Sequence, residues 1–152
     1  MVIKKRKIAA AFTLIELMVV ILILGILAAA SVPLMRSRSE KAKWSEADAS
    51  CGTIWTAVRT FIAEKGPNHD YSDIEGTIST ASVRGRLGFG PDDLTGTYFD
   101  QGSYKISDVD GSDDTGPSCK ITVTSPAGKG PVSGPGTFTA KAGAVDWAVT
   151  GL

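Results

Sequence analysis

Four oxygen-bearing side chains stand at alternate positions of one short acidic segment: Asp108, Asp110, Ser112 and Asp114. Calcium takes about six to eight oxygen ligands, and the loops that bind it open with this alternation. Such loops also have a glycine at the sixth position and a glutamate at the twelfth, which here are Asp113 and Cys119. We therefore interpret the segment as a solvated hairpin turn and keep Ca²⁺ as its candidate ligand. The sequence predicts no other cofactor.

The residues that could serve as a catalytic base are few. The single histidine, His69, lies beside Asp70 in a polar stretch, and no nucleophile stands at a spacing typical of a catalytic pair. General bases act on groups within hydrogen-bond reach, and the residue pattern indicates no such arrangement. We expect His69 to be a solvent-exposed loop residue and the protein not to be an enzyme.

Two cysteines, Cys51 and Cys119, lie far apart in the chain. In an exported domain they could form a disulfide that closes a long loop, which typically contributes about 2–4 kcal/mol. Two free, buried thiols are the alternative, because the sequence does not reveal whether the sulfur atoms approach each other. The two cysteines and His69 have no spacing typical of a metal site.

The formal charge of zero combines two unlike regions. All four basic residues of the first eleven positions lie together, at residues 4–7, with no acid among them. Taking these four from the 16 basic side chains leaves 12 against 16 acidic ones, a net charge of −4 for residues 12–152. Nucleic-acid binding needs a basic surface, so we expect no nucleic-acid partner.

An apolar run follows the basic cluster and extends from Phe12 to Ala30, a length of 19 residues. A helix needs about 20 such residues to cross the hydrocarbon core of a bilayer. The run exceeds the roughly 7–15 residues of a signal-peptide core. The basic cluster should remain in the cytoplasm, which places the C-terminal part of the chain on the other side of the membrane.

Glu16 interrupts this run with an acidic side chain. A charge at the bilayer centre costs at least ~2.5 kcal/mol on insertion scales, although a position near the end of the run allows snorkelling. Acids inside such helices usually have a partner. A positive group on a neighbouring subunit, such as a free amino terminus, is the partner we expect.

The segment Ala-Phe-Thr-Leu-Ile-Glu-Leu-Met-Val-Val-Ile at residues 11–21, preceded by a short basic leader, resembles the prepilin processing motif. This motif is typical of type IV pilins and of the pseudopilins of type II secretion. Pro33 stands where that family has a helix-kinking proline. The matching residues cover about a fifth of the chain.

The resemblance implies a set of processing and assembly roles. A prepilin peptidase would cut between Ala11 and Phe12, and the new amino group of Phe12 would be N-methylated. Glu16 would pair with the Phe12 amine of an adjacent subunit, and Pro33 would belong to the same assembly helix. The family usually has glycine immediately before the cut, whereas this chain has Ala11.

Beyond Pro33 the apolar residues continue at steps of three and four, which is typical of one face of a helix. That face consists of Trp44, Ala47, Cys51, Ile54, Trp55, Val58, Phe61 and Ile62. Gly66-Pro67 is a strong stop signal, so the helix should end near Lys65. Pro33 lacks the N–H of a helical residue, so we predict one long helix that is interrupted there.

The remaining sequence predicts loops and an antiparallel sheet. A short helix is expected near Ser79–Leu87, and residues 125–136 are expected to form an exposed loop. Four segments alternate as strands do: 104–109, 119–124, 136–140 and 145–150. Turn-rich connections between them favour a meander. The predicted fold is α+β, a long helix packed on a small antiparallel sheet.

These predictions divide the chain into four parts: a removable leader, 1–11; a transmembrane and polymerisation helix, 12–35; an amphipathic helix of the head, 36–65; and loops and sheet, 66–152. The resemblance implies a subunit of a type IV pilus or pilus-like filament. Such a subunit is held in the bacterial inner membrane with its head in the periplasm, and an assembly platform then builds it into a homo-oligomeric helical filament.

Two alternatives remain. One is the major pseudopilin of a type II secretion system, whose filament stays in the periplasm. The other is a signal-anchored periplasmic binding protein, which would need neither Glu16 nor a cut after Ala11.

Overall fold

The computed structural model describes residues 12–112, 116–141 and 144–150. Its contacts divide the chain into two units, one ending at Ser37 and the other beginning at Arg38. Helix α1 comprises Leu14–Lys65, so it contributes to both units. The remaining helices and strands all belong to the second unit, which we call the head.

The head contains one further short α-helix and, within the described residues, a five-stranded antiparallel sheet. The elements in chain order are β1 (Gly76–Thr77), α2 (Ala81–Arg86), β2 (Tyr104–Asp110), β3 (Ser118–Val123), β4 (Gly136–Lys141) and β5 (Ala144–Val149). Short 3-10 helices at Tyr71–Asp73 and Gln101–Ser103 complete the connections. The strands lie in the order β1-β2-β3-β4-β5, so the meander and the α+β class are confirmed.

The second half of α1 supplies one side of the head's core. All eight residues of the predicted helix face are buried, because a three- and four-residue repeat brings them onto one side of the helix. Inward-pointing residues alternate along the strands, as in Ile106 of β2, Ile121 of β3 and Phe138 of β4. Helix and sheet therefore bury a common apolar layer.

An aromatic cluster fills one end of this layer. The ring of Trp44 lies 5.1 Å from that of Phe99 and 5.9 Å from that of Trp147, measured between centroids. Gly136 is required beneath these rings: a Cβ atom there would lie 2.6 Å from Trp147 and 2.7 Å from Trp44. Any larger residue would have to displace one of the two indoles.

Several sequence predictions are wrong in detail. The helix continues without a break through Pro33, because a proline removes only one bond of the helical ladder, the one to the Ala29 carbonyl. The local bend expected there stays a prediction. The second helix is shorter than Ser79–Leu87, and the two-residue β1 was not predicted, because a strand of two residues has no readable alternation.

Candidate functional site

The beginning of α1 is the candidate site. Thr13 immediately precedes the helix, and its hydroxyl accepts a hydrogen bond from the backbone N–H of Glu16 at 3.3 Å. This is the geometry of an N-cap, which satisfies one of the N–H groups that a helix start leaves without partners. Phe12 and Glu16 are both exposed, whereas Ala11 lies outside the described residues.

The first unit carries a continuous apolar surface. Its large side chains are each between 46% and 77% exposed, from Phe12 and Leu14 to Leu34 and Met35. The most apolar stretch of α1 has a mean hydropathy of 2.8, and among the described helices α1 alone is long and apolar enough to cross a membrane. A helix that is apolar all round needs lipid or protein around it.

Pro33 lies within the same helix, and one polar group nearby is satisfied locally. The hydroxyl of Ser31 donates a hydrogen bond to the carbonyl oxygen of Leu27 at 2.8 Å. A serine within an apolar helix commonly satisfies its hydroxyl in this way. The described surface of the first unit is thus almost wholly apolar, with Glu16 as its one acidic side chain.

The candidate calcium residues lie where β2 ends. Both carboxylate oxygens of Asp110 already accept hydrogen bonds from Ser112, from its N–H at 2.9 Å and from its hydroxyl at 3.0 Å. Asp108 sits at a bulge in the β2–β3 pairing with φ of 54°. Asp114 lies outside the described residues. Among the described residues no three His, Cys, Asp or Glu side chains gather as metal ligands, and calcium binding stays a prediction.

The two cysteines are free thiols buried in the head. Burial, together with the charges of Asp48 and of the Cys119 thiolate, raises the pKa of Cys51 far above its ordinary value, and burial raises the pKa of Cys119 to about 12. Both side chains belong to the same buried core, to which the helix contributes Cys51 and β3 contributes Cys119. Both cysteines are free thiols in this structure, and a disulfide between them stays a prediction.

His69 is half-buried, so the prediction of a solvent-exposed histidine is wrong. Its ring packs against those of Phe61 and Tyr71, at centroid distances of 6.0 and 5.2 Å. Its Nε2 lies 3.7 Å from a carboxylate oxygen of Asp73, which also accepts from Arg86 at 2.5 Å. The loop folds back on the end of α1, which the polar composition of the segment did not indicate.

Two glutamates of α1 have roles that the sequence did not reveal. The carboxylate of Glu46 accepts from three successive backbone N–H groups, those of Thr97, Tyr98 and Phe99, at 3.1, 2.9 and 3.0 Å. The carboxylate of Glu40 accepts from the N–H of Val132 at 2.7 Å. Both residues look like ordinary solvated helix positions in the sequence, because their partners lie more than 50 residues away.

The loop at residues 125–136 was expected to be exposed, but parts of it are buried or hydrogen-bonded to the rest of the head. Pro131 is buried, the hydroxyl of Ser125 donates to the Pro131 carbonyl at 2.7 Å, and Trp44 Nε1 donates to the Ser133 hydroxyl at 2.8 Å. The expectation of a wholly exposed loop is therefore wrong in part. Its Gly and Pro content predicted the absence of secondary structure but not its attachment to α1.

A long apolar helix with an amphipathic second half on an antiparallel sheet is a pilin-like arrangement. Residues 6–32 match the family described as "Prokaryotic N-terminal methylation motif". The chain thus carries the N-terminal methylation motif that the residues around Glu16 predicted.

Two curated proteins are similar to parts of this chain. The chain is 42% identical over 79 residues to the type IV major pilin protein PilA of Myxococcus xanthus, covering 51% of this chain and 34% of that protein. It is 46% identical over 55 residues to the fimbrial protein EcpB of Eikenella corrodens, covering 36% of this chain and 35% of that protein. The chain therefore spans about a third of the length of these relatives. No solved structure matches it.

Both relatives are filament proteins by name, a pilin and a fimbrial protein. This agrees with the expectation that the chain is not an enzyme.

Proposed function

We propose that this chain is the structural subunit of a type IV pilus or pilus-like filament, made as a membrane-anchored precursor and polymerised through the first half of α1. The observation that carries the proposal is the exposed apolar surface of the described part of the first unit, which includes residues 12–32 of the methylation motif and one acidic side chain, Glu16. A helix of this kind requires a partner surface on every side.

Two environments can supply that surface in turn. Before assembly, the hydrocarbon core of the bacterial inner membrane surrounds the helix, with the basic residues 4–7 in the cytoplasm and the head in the periplasm. After assembly, the helices of neighbouring subunits surround it. Burying one Leu, Ile or Val contributes about 1.5–3 kcal/mol in water, so a helix extracted from lipid must enter another apolar environment at once.

Glu16 gives the assembled state its specificity. In this proposal a prepilin peptidase cuts between Ala11 and Phe12, and the methylated Phe12 amine of one subunit meets the Glu16 carboxylate of the next. An unpaired carboxylate inside a helical bundle is strongly disfavoured, whereas a paired one is tolerated. A neighbour that is out of register would leave both charges unpaired, so the pair selects the correct stagger of subunits.

Substituting Glu16 tests the proposal. We expect Glu16→Val to insert into the inner membrane like the unmodified chain but to be absent from sheared filaments, because its neighbour's amine has no counter-charge. Leu17→Val, a change on the adjacent residue that leaves charge unaltered, should assemble normally. Filaments that contain Glu16→Val in ordinary amounts would refute the pairing role.

The location of the filament decides between the pilus and the related alternative. Recovery of the chain in filaments sheared from the cell surface supports a pilus subunit, handled by a pilus assembly platform. A processed chain that remains in the periplasm would instead indicate the major pseudopilin of a secretion system.

A further inference from the structure

The connection between β3 and β4, residues 124–135, has features of an interaction surface. We call it the docking loop. Its ends are held together by the pairing of Val123 with Gly136, so it is a compact excursion of twelve residues from the sheet. Most connections in compact domains are shorter, with a median of about 4–6 residues, and compact surface loops of about 6–16 residues whose ends lie close together are frequently functional.

The docking loop is held in one conformation. Its own bonds include Ser125 to the Pro131 carbonyl at 2.7 Å and Gly130 N–H to the Pro126 carbonyl at 3.3 Å. Bonds to the rest of the head join Glu40 to the Val132 N–H at 2.7 Å and the Trp44 indole to Ser133 at 2.8 Å. The backbone of the loop is therefore fixed on both sides of Val132.

Val132 projects from this fixed backbone into solvent. Its side chain is 93% exposed, although Pro131 beside it is buried and Ser133 is half-buried. Isolated exposed apolar residues are common on surfaces, but here the residue is presented at a position determined by a charged hydrogen bond. A contact residue held in place before binding loses little conformational entropy when it binds.

The charge of the docking loop is opposite to that of the head. Lys129 is the single charged residue between 125 and 140 and it is exposed, whereas residues 12–152 as a whole carry a net charge of −4. A basic, apolar projection on an acidic protein is complementary to the surface of another copy of the same protein.

From these observations we infer that the docking loop binds the head of the adjacent subunit, with Val132 as the apolar contact and Lys129 facing its acidic surface. The inference rests on the proposed filament. A polar filament needs a heterologous contact, in which one surface of a subunit meets a different surface of the next. A basic loop on an acidic head meets this requirement, because two copies of the loop would repel each other.

The test compares two valine substitutions in full-length chains produced in the native host. We expect Val132→Asp to lower the amount of chain in sheared filaments at least about tenfold, because a carboxylate buried at each contact lacks a partner. Lys129→Glu should also lower it. Val145→Asp, at a β5 residue that is 54% exposed, is the matched control and should assemble normally.

A crosslink identifies the partner. Benzophenone maleimide attached at position 132 of the Val132→Cys variant should give, in intact filaments, covalent dimers with twice the mass of the chain. Cys51 and Cys119 are buried in the head and should not be labelled in the folded protein.

The outcomes separate the two proposals. Three results would overturn the docking role while leaving the filament proposal intact: the Val132→Asp chain assembles normally, the Val145→Asp chain is lost from filaments to the same extent, or the crosslinks join the chain to a different protein. Absence of the unmodified chain from all filaments would overturn the proposed function itself. Melting temperatures of the purified variants, expected to match the unmodified chain, confirm that each loss of assembly is not a loss of folding.

Discussion

The carboxylate of Glu46 offers a sharp test of how the head is held together. It accepts hydrogen bonds from the N–H groups of Thr97, Tyr98 and Phe99, and so attaches an irregular segment to α1. Replacing Glu46 with alanine removes all three bonds at once. Because Phe99 is buried and Tyr98 half-buried, at least two of these N–H groups would have little access to water in the altered protein.

The magnitude follows from those two groups. An unsatisfied buried donor costs about 1–3 kcal/mol, while the exposed Thr97 N–H can bind water instead. We therefore expect Glu46→Ala to lower the free energy of unfolding by about 3 kcal/mol. At about 4 °C per kcal/mol for a domain of this size, the melting temperature should fall by about 12 °C.

Thermal unfolding of the full chain in detergent, followed by near-UV circular dichroism, measures this change. Glu64→Ala, at an exposed position of the same helix, is the control and should melt within about 2 °C of the unmodified chain. The reasoning is refuted if Glu46→Ala melts as the control does.

A second substitution checks the geometry independently. A Cβ atom at Gly96 would lie 2.6 Å from the carboxylate carbon of Glu46, so Gly96→Ala should destabilise the head. In the Glu46→Ala background the same change should cost much less, because the obstructing carboxylate is gone. Additive effects of the two substitutions would contradict the described contact.

Two further predictions concern Glu40 and the cysteines. Although burial raises the pKa of Glu40, the backbone N–H groups of Val132 and Ser133 and the side chain of Lys43 lower it more, so its folded pKa lies below the unfolded one. The stabilising contribution of Glu40 should be complete above about pH 4.5 and should be lost as the pH falls through the lower, folded pKa. Urea unfolding at several pH values measures this dependence. A Glu40→Gln variant should lack this part of it, because the glutamine does not titrate. Maleimide should label neither Cys51 nor Cys119 in the folded chain, because burial disfavours the reactive thiolate, and it should label both after denaturation. If both cysteines remain unlabelled in denaturant without a reductant, they form a disulfide instead.

The long elements could be predicted because their periodicity is strong. The buried face of α1 repeats at helical spacing from Trp44 to Ile62, and β2, β3 and β4 each alternate between buried and more exposed residues. In β5 the alternation is weaker, with half-buried Trp147 and Val149 among exposed residues. The processing segment was equally readable, because its residues are contiguous and combine a basic leader, an apolar run and one acid.

What the sequence did not reveal depends on contacts between distant residues. Glu46 and Gly96 are brought together only by the fold, as are Glu40 and Val132, and no local pattern marks either pair. The same holds for the half-buried environment of His69. Such attachments depend on tertiary geometry, whereas hydrophobic periodicity reports only which face of each element is buried.

Mass spectrometry of the mature N-terminus tests the central claim most directly. Chain purified from the native host should lack residues 1–11 and begin with an N-methylated Phe12, whose amine is the proposed partner of Glu16. An intact Met1, or an unmethylated start at another residue, would contradict the assignment of this chain as a processed filament subunit.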